Sequence, residues 1–153
     1  MLIDLPILIQ QCAPNIAPST MMAIIKTESN GQPHAINLNK GKKLLYQPKT
    51  KEQAIKWVEY LELHNYNFDV GIAQINSNNI KRYGYKARDM LDPCTNIKVA
   101  GYIITSNYVN ALSTSSNQQV ALRKMISAYN TGNHQSGFTN GYVQKVIKNA
   151  KQR

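Results

Sequence analysis

The sequence predicts an α+β fold of the segregated kind, a mostly helical chain with one small β element. Two observations predict it. Apolar residues recur at helical spacing over most of the chain, whereas only residues 68–76, Phe-Asp-Val-Gly-Ile-Ala-Gln-Ile-Asn, alternate as a short strand entering a turn. With 153 residues, no internal repeat and no linker-like tract, residues 1–153 read as one domain with a real core.

The elements follow from local signals. Pro18 and Ser19 start a helix, Gly31 stops it, and the spacing predicts a helix over 18–30 with Met21, Ile24, Ile25 and Glu28 on the inward face. Residues 32–49, rich in Gly, Pro, Asn and Lys, read as loops with a short hairpin around Asn39-Lys-Gly41. Thr50 caps a helix that ends near His64, with Ala54, Trp57, Val58 and Leu61 inward and Glu52–Lys56 as an i,i+4 pair. A short helix over 77–83 precedes Gly84. Asp92-Pro93 opens another, striped by Ile97, Gly101, Ile104 and Tyr108, and Gly101 implies a close helix crossing. After a Ser/Thr/Asn loop at 113–117 come a helix from Val120 to Ala128, a glycine-bearing loop over 130–137 and a basic helix from Tyr142 to Ala150.

Composition narrows the function classes. Hydrophobic content of 42% with 17% charged residues is globular, and no apolar run approaches the roughly 18 residues of a membrane span. The opening Met-Leu-Ile-Asp-Leu-Pro lacks the basic region of an export signal. Net charge is +10, and residues 93–153 hold seven Lys and Arg but no Asp or Glu. Such a surface attracts a polyanion: nucleic acid, anionic lipid or an acidic wall polymer. A specific nucleic-acid partner is not expected, because no reading helix or interleaved aromatic platform is recognisable. His34, His64 and His134 show no metal spacing, so neither metal nor cofactor is expected. Cys12 and Cys94 are not a Cys-x-x-Cys pair. They can bridge the N-terminal segment to a later helix, at about 2–4 kcal/mol in an oxidising compartment, or be two buried free thiols.

Among only eight Asp and Glu residues, Glu28 alone falls on an apolar helix face. A carboxyl there pays for desolvation when ionised, so its pKa rises, as a general acid requires near neutral pH. An inward Glu near a helix end is also a common structural residue, and the residues by themselves leave both open. Asp4 falls at a loose terminus. Glu52, Glu59 and Glu62 fall on solvated helix positions, and Asp89 and Asp92 where helix-initiating acids belong. Asp69 precedes the Val70-Gly71 turn, where it would cap backbone amides, with a catalytic role as the alternative. One acid without a convincing partner is too few for a standard glycosidase, which uses two carboxylates about 5–10 Å apart.

Four motifs then coincide in order: Thr27-Glu28-Ser29-Asn-Gly31, Gly71-Ile-Ala-Gln74-Ile-Asn76, Ala128-Tyr129-Asn130-Thr-Gly132 and Gly141-Tyr142-Val143. Over roughly residues 8–148 the chain resembles the lysozyme-like lytic transglycosylases. It is most similar to the small ones of bacterial type IV secretion and conjugation machines, whose pattern Cys12-Ala-Pro14 and Leu91-Asp-Pro-Cys94-Thr-Asn-Ile97 also match. The resemblance implies a goose-type-like lysozyme domain with its β element beside the cleft. It implies peptidoglycan glycan strands as substrate, a periplasmic location, other secretion-system components as partners and, with that address, a Cys12–Cys94 disulfide.

By the same resemblance Glu28 is the single acid/base. It cleaves between N-acetylmuramic acid and N-acetylglucosamine and leaves a 1,6-anhydro end. Gln74 and Asn76 hydrogen-bond the sugar, and Gly71 lets the backbone approach it closely. Tyr129 places its hydroxyl near Glu28, Asn130 shapes the same wall, Tyr142 closes the cleft and Ser29 contacts sugar. Related enzymes often carry Leu-Met-Gln where this chain has Ile72-Ala73-Gln74, so Ala73 is expected to widen the site. The rival readings are a hydrolytic muramidase with Asp69 as second carboxylate, and a non-catalytic glycan-binding assembly factor.

Overall fold

The computed structural model describes residues 4–39 and 44–151. Helix α1 (Leu5–Cys12) is not among the elements expected above, although Leu5, Leu8, Ile9 and Cys12 recur at helical spacing and pack in or against the core. Asp4, expected at a loose terminus, starts it by accepting the Ile7 N–H at 3.3 Å. Helix α2 (Pro18–Glu28) buries Met21, Ala23, Ile24 and Ile25. It stops two residues short of the predicted end because Asn30 and Gly31 turn left-handed (φ 54° and 82°).

Strand β1 (Ile36–Leu38) replaces part of the expected loop, and residues 40–43 of the expected Asn39–Gly41 hairpin lie outside the described residues. Helix α3 (Lys51–Leu63) is capped by Thr50, whose hydroxyl accepts the Gln53 N–H at 3.1 Å. It buries Ala54, Val58 and Leu61, but Trp57, expected inward, is 40% exposed. Strands β2 (Phe68–Val70) and β3 (Ile75–Asn76) complete an antiparallel sheet in the order β1-β2-β3, with Ile36 opposite Val70 and Val70 opposite Ile75.

Helix α4 (Ser77–Arg82) and a 3₁₀ turn (Ala87–Leu91) lead into α5 (Pro93–Leu112), capped by Asp92. Glu62, expected to be solvated, is partly buried and accepts the Ala87 N–H at 2.8 Å. Helix α5 is the spine of the molecule. It packs along α6 (Gln118–Thr131) and against α1. The close approach expected at Gly101 is real, though its neighbour is Ala13, just past the end of α1: a Cβ there would sit 3.3 Å from the Ala13 methyl. Cys12 and Cys94 form a disulfide that ties the end of α1 to the start of α5. A short helix α7 (Ser136–Thr139) interrupts the expected glycine loop, and α8 (Tyr142–Lys151) packs on α2 and α6.

The core joins residues of α1–α6 and α8 to all three strands. Among the described residues no helix is long and apolar enough to cross a membrane. The sheet and the α2–α8 pair thus flank the C-terminal end of α2, where Glu28 sits.

Candidate active site

Glu28 is the last residue of α2 and lines two hollows at once. One, of about 450 Å³, is walled by Asp69, Gln74 and Asn76 on the sheet side, Asn78, Asn79 and Arg82 of α4, and Tyr129 and Asn130 of α6. The other, of about 1130 Å³, is walled by residues 26–30, by Gln32, His34, Ala35 and Asn37, by Tyr46 to Lys49, and by Tyr142 and Lys145. A carboxyl at the junction of two hollows can reach a polymer that occupies both.

Burial pushes the Glu28 carboxyl up to about 8. The Tyr142 hydroxyl, which donates to Glu28 Oε2 at 3.0 Å, works against that rise, the Asp69 charge adds to it and the Lys145 ammonium opposes it. At neutral pH Glu28 therefore holds a proton. With Oε2 engaged by Tyr142, Oε1 is left to carry it.

Tyr129 and Tyr142 each line one of the two hollows that Glu28 joins, and only Tyr142 bonds the carboxyl. The Tyr129 hydroxyl donates to the Ala73 carbonyl at 2.6 Å instead of to Glu28, although burial and the nearby Glu28 charge hold it well above the ordinary phenol range. Tyr142, expected only to close the cleft, is the residue bonded to Glu28. Both rings come to the site because α6 and α8 pack together behind it.

Asp69 does not cap the turn that follows it. Its Oδ1 accepts from the Asn76 side chain at 3.0 Å across the β2–β3 pair, and its carboxyl faces the same hollow as Glu28. Burial raises its pKa, and the Asn76 amide opposes that rise.

The turn between β2 and β3 is held from three sides. Ser29 donates to the Ile72 carbonyl at 2.6 Å while its oxygen accepts the Gly31 and Gln32 amides. Its hydroxyl thus serves backbone groups, whereas a sugar contact was expected. Gln74, in left-handed backbone (φ 53°), donates to the Ala35 and Gly71 carbonyls at 3.0 and 2.9 Å and accepts from Asn37 at 2.8 Å. Expected to reach sugar, it spends its amide on joining the turn to β1. Asn76 caps α4 through the Asn78 N–H and donates to Asn67 as well as Asp69. Asn130 accepts from Asn140 at 3.0 Å at the rim.

Asn96 is the residue that sequence reasoning missed. Fully buried in α5, it accepts the Ala73 N–H at 3.0 Å and donates to the Val70 and Met90 carbonyls, each at 2.9 Å. Its signal resembles that of Glu28: a polar residue on an apolar helix face, here with Val99, Ala100 and Ile103 at helical spacing. Gly71 is glycine because of this contact. Its φ is 86°, and a Cβ there would collide with the Asn96 amide and the Met90 carbonyl, so the close approach is to protein atoms. Ala73, expected to widen the site, is fully buried.

Three curated relatives are similar to the chain over most of its length. It is 40% identical over 150 residues to the type IV secretion system protein virB1 of Brucella abortus, covering 94% of this chain and 63% of that one. It is 38% identical over 143 residues to protein virB1 of Agrobacterium fabrum, covering 94% and 58%, and 41% identical over 138 residues to protein virB1 of Rhizobium radiobacter, covering 90% and 56%. The chain thus spans less than two thirds of the length of these relatives. No solved structure matches it. The transglycosylase SLT domain matches residues 6–152, taking in Glu28, both hollows, both tyrosines and the disulfide; the chain belongs to the transglycosylase SLT domain family.

Proposed function

We propose that the protein is a lytic transglycosylase that cleaves the β-1,4 bond between N-acetylmuramic acid and N-acetylglucosamine in peptidoglycan. In this reading it opens the periplasmic wall locally for a type IV secretion or conjugation apparatus. The observation that carries the reading is the buried Glu28 carboxyl, held by the Tyr142 hydroxyl at the junction of two hollows, in a chain of this family; burial raises its pKa to about 8, which suits an acid. The names of the virB1 relatives motivate the secretion role.

Glu28 Oε1 gives its proton to the glycosidic oxygen as the bond from that oxygen to the muramyl anomeric carbon breaks. The muramyl 6-hydroxyl then bonds to the anomeric carbon and returns its proton to Glu28. No water is consumed, and the muramyl unit leaves as a 1,6-anhydro sugar. A tethered hydroxyl needs no second carboxylate, because proximity replaces activation. The Tyr142 donor steadies the carboxylate that exists between the two proton transfers.

One observation favours a second reading, hydrolysis to a reducing end. Asp69 faces the same hollow and its charge reaches Glu28. Mass spectrometry of the products separates the two, since hydrolysis adds one water per cut. Release of 1,6-anhydro products by the wild type and none by Glu28→Gln is the result expected. Reducing muramyl ends would replace the lytic reading with the hydrolytic one, and no cleavage by the wild type would leave neither standing.

A further inference from the structure

Helix α3 turns Ala54, Val58 and Leu61 into the core and leaves Trp57 and Tyr60 outside, 40% and 50% exposed. Tyr66, just past the helix, is 47% exposed. These rings form a connected strip. Tyr60 and Tyr66 lie with centroids 6.4 Å apart and planes 30° apart, Trp57 meets Tyr60 edge-on at 6.4 Å and 85°, and His64 packs against Tyr60 at 4.3 Å. Gln53, Lys56, Trp57 and Tyr60 line a surface hollow of about 470 Å³. Large aromatic faces left in water on a helix whose other face already fills the core are a mark of binding rather than of folding.

We infer that this strip is a second glycan-binding surface, on which a peptidoglycan strand rests outside the cleft. The inference rests on the proposed substrate. Three features favour a sugar polymer. The Trp57–Tyr60 corner offers ring surfaces to the C–H face of a pyranose. Gln53, Lys56 and His64 border the rings with polar groups, matching the hydroxyl rim of a sugar. The strip also leads to the cleft: Tyr66 is followed by Asn67, whose Oδ1 accepts from Asn76 Nδ2 at 2.7 Å, and Asn76 lines the smaller hollow beside Glu28. A strand held at both places gains from effective concentration, which keeps the enzyme on the wall between cuts.

Trp57 is the only tryptophan of the chain, so it reports on its own site. Glu28→Gln protein should be titrated with soluble N-acetylglucosamine oligomers while its fluorescence is followed. A saturable change that Tyr60→Ala and Tyr66→Ala each weaken is the result expected. Trp57→Ala/Tyr60→Ala should also lower retention on whole sacculi by about ten-fold. The same double variant should cut short soluble glycan at the wild-type rate, because neither residue lines the cleft. Unchanged fluorescence, or unchanged retention by the double variant, overturns the inference. So does a wild-type dimer that the double variant dissolves, which would make the strip a self-contact. Activity of the wild type on the short glycan tests the proposed function alone, so the two failures are distinguishable.

Discussion

Tyr142 Oη donates to Glu28 Oε2 at 3.0 Å, a contact across 114 residues of sequence that joins the start of α8 to the end of α2. It fixes which carboxyl oxygen is free for the proton. It also sets Glu28 apart from Asp69, whose hydrogen bond comes from an amide in the neighbouring strand.

Glu28→Gln keeps the shape of the side chain and loses the proton. Clearing of peptidoglycan should fall to background while the fold stays intact by circular dichroism. Stability should change with a defined sign. The folded protein keeps a proton that the unfolded chain gives up between about 4.5 and about 8, so wild-type stability falls as pH rises through that window. Above pH 8 the Gln variant should be more stable by about 0.5–2 kcal/mol, measured by urea unfolding. Near-wild-type clearing by this variant would refute Glu28 as the acid.

Tyr142→Phe and Tyr129→Phe should separate. Loss of the Tyr142 donor removes a group that holds the Glu28 pKa down, so the alkaline fall in activity, expected near pH 8 for the wild type, should move to higher pH. The rate should drop about 10- to 100-fold through lost orientation. Tyr129→Phe frees the Ala73 carbonyl instead, and its main effect should be a loss of about 1 kcal/mol in stability with the pH limb little moved. A pH–rate profile and a melt on each variant check this, and identical behaviour of the two would refute the assignment.

Much of the fold was legible because its signals are local. Thr50, Asp92 and Gly31 mark helix ends by local chemistry that needs only neighbours in sequence, whereas α6 runs three residues past its expected end at Ala128 and stops at Gly132. Helix α1 is short, yet its stripe of Leu5, Leu8, Ile9 and Cys12 and its Asp4-Leu5-Pro6 start are legible signals that the expected elements left out; three-residue β1 was not legible, because it exists only as β2 pairs with it. At the site, Glu28 stood out as a carboxyl among apolar neighbours. The partners of Tyr129, Tyr142, Ser29 and Gln74 did not, since each bonds a group 37 or more residues away and no spacing encodes that. Asn96 carries a similar signal, a polar residue on the face of Val99, Ala100 and Ile103, but Asn has no acid chemistry that would suggest a role.

Asn96→Ala should unsettle the turn that carries Gln74. The change leaves the Val70 and Met90 carbonyls and the Ala73 N–H without their side-chain partner inside the core. A loss of about 2–4 kcal/mol is expected in denaturant unfolding, with activity falling in step. A variant as stable as the wild type would show that the turn holds itself.

The Cys12–Cys94 bridge ties α1 to α5 across a separation of 82 residues. Titration of unfolded, unreduced protein with a thiol reagent should find no free thiol. Reduction, or Cys12→Ser/Cys94→Ser, should cost about 2–4 kcal/mol. Two free thiols in protein from an oxidising compartment would contradict the bridge.

Asp69→Asn decides the mechanism. If Glu28 works with the muramyl 6-hydroxyl, Asp69 acts on it only as a nearby charge that adds to the rise in its pKa. Its removal should then lower the Glu28 pKa and shift the alkaline limb to lower pH, opposite to Tyr142→Phe. Activity at neutral pH should fall less than about ten-fold, and the products should still carry 1,6-anhydro ends. A two-carboxylate hydrolase predicts otherwise: Asp69 would activate water or stabilise the cation at the anomeric carbon, and its loss would cost several orders of magnitude. Product mass and the pH–rate profile of this variant, taken on the same glycan as Glu28→Gln, discriminate the two. Reducing ends from the wild type together with an inactive Asp69→Asn would establish hydrolysis, and anhydro ends with the limb displaced downward would leave Glu28 as the only carboxyl in the chemistry.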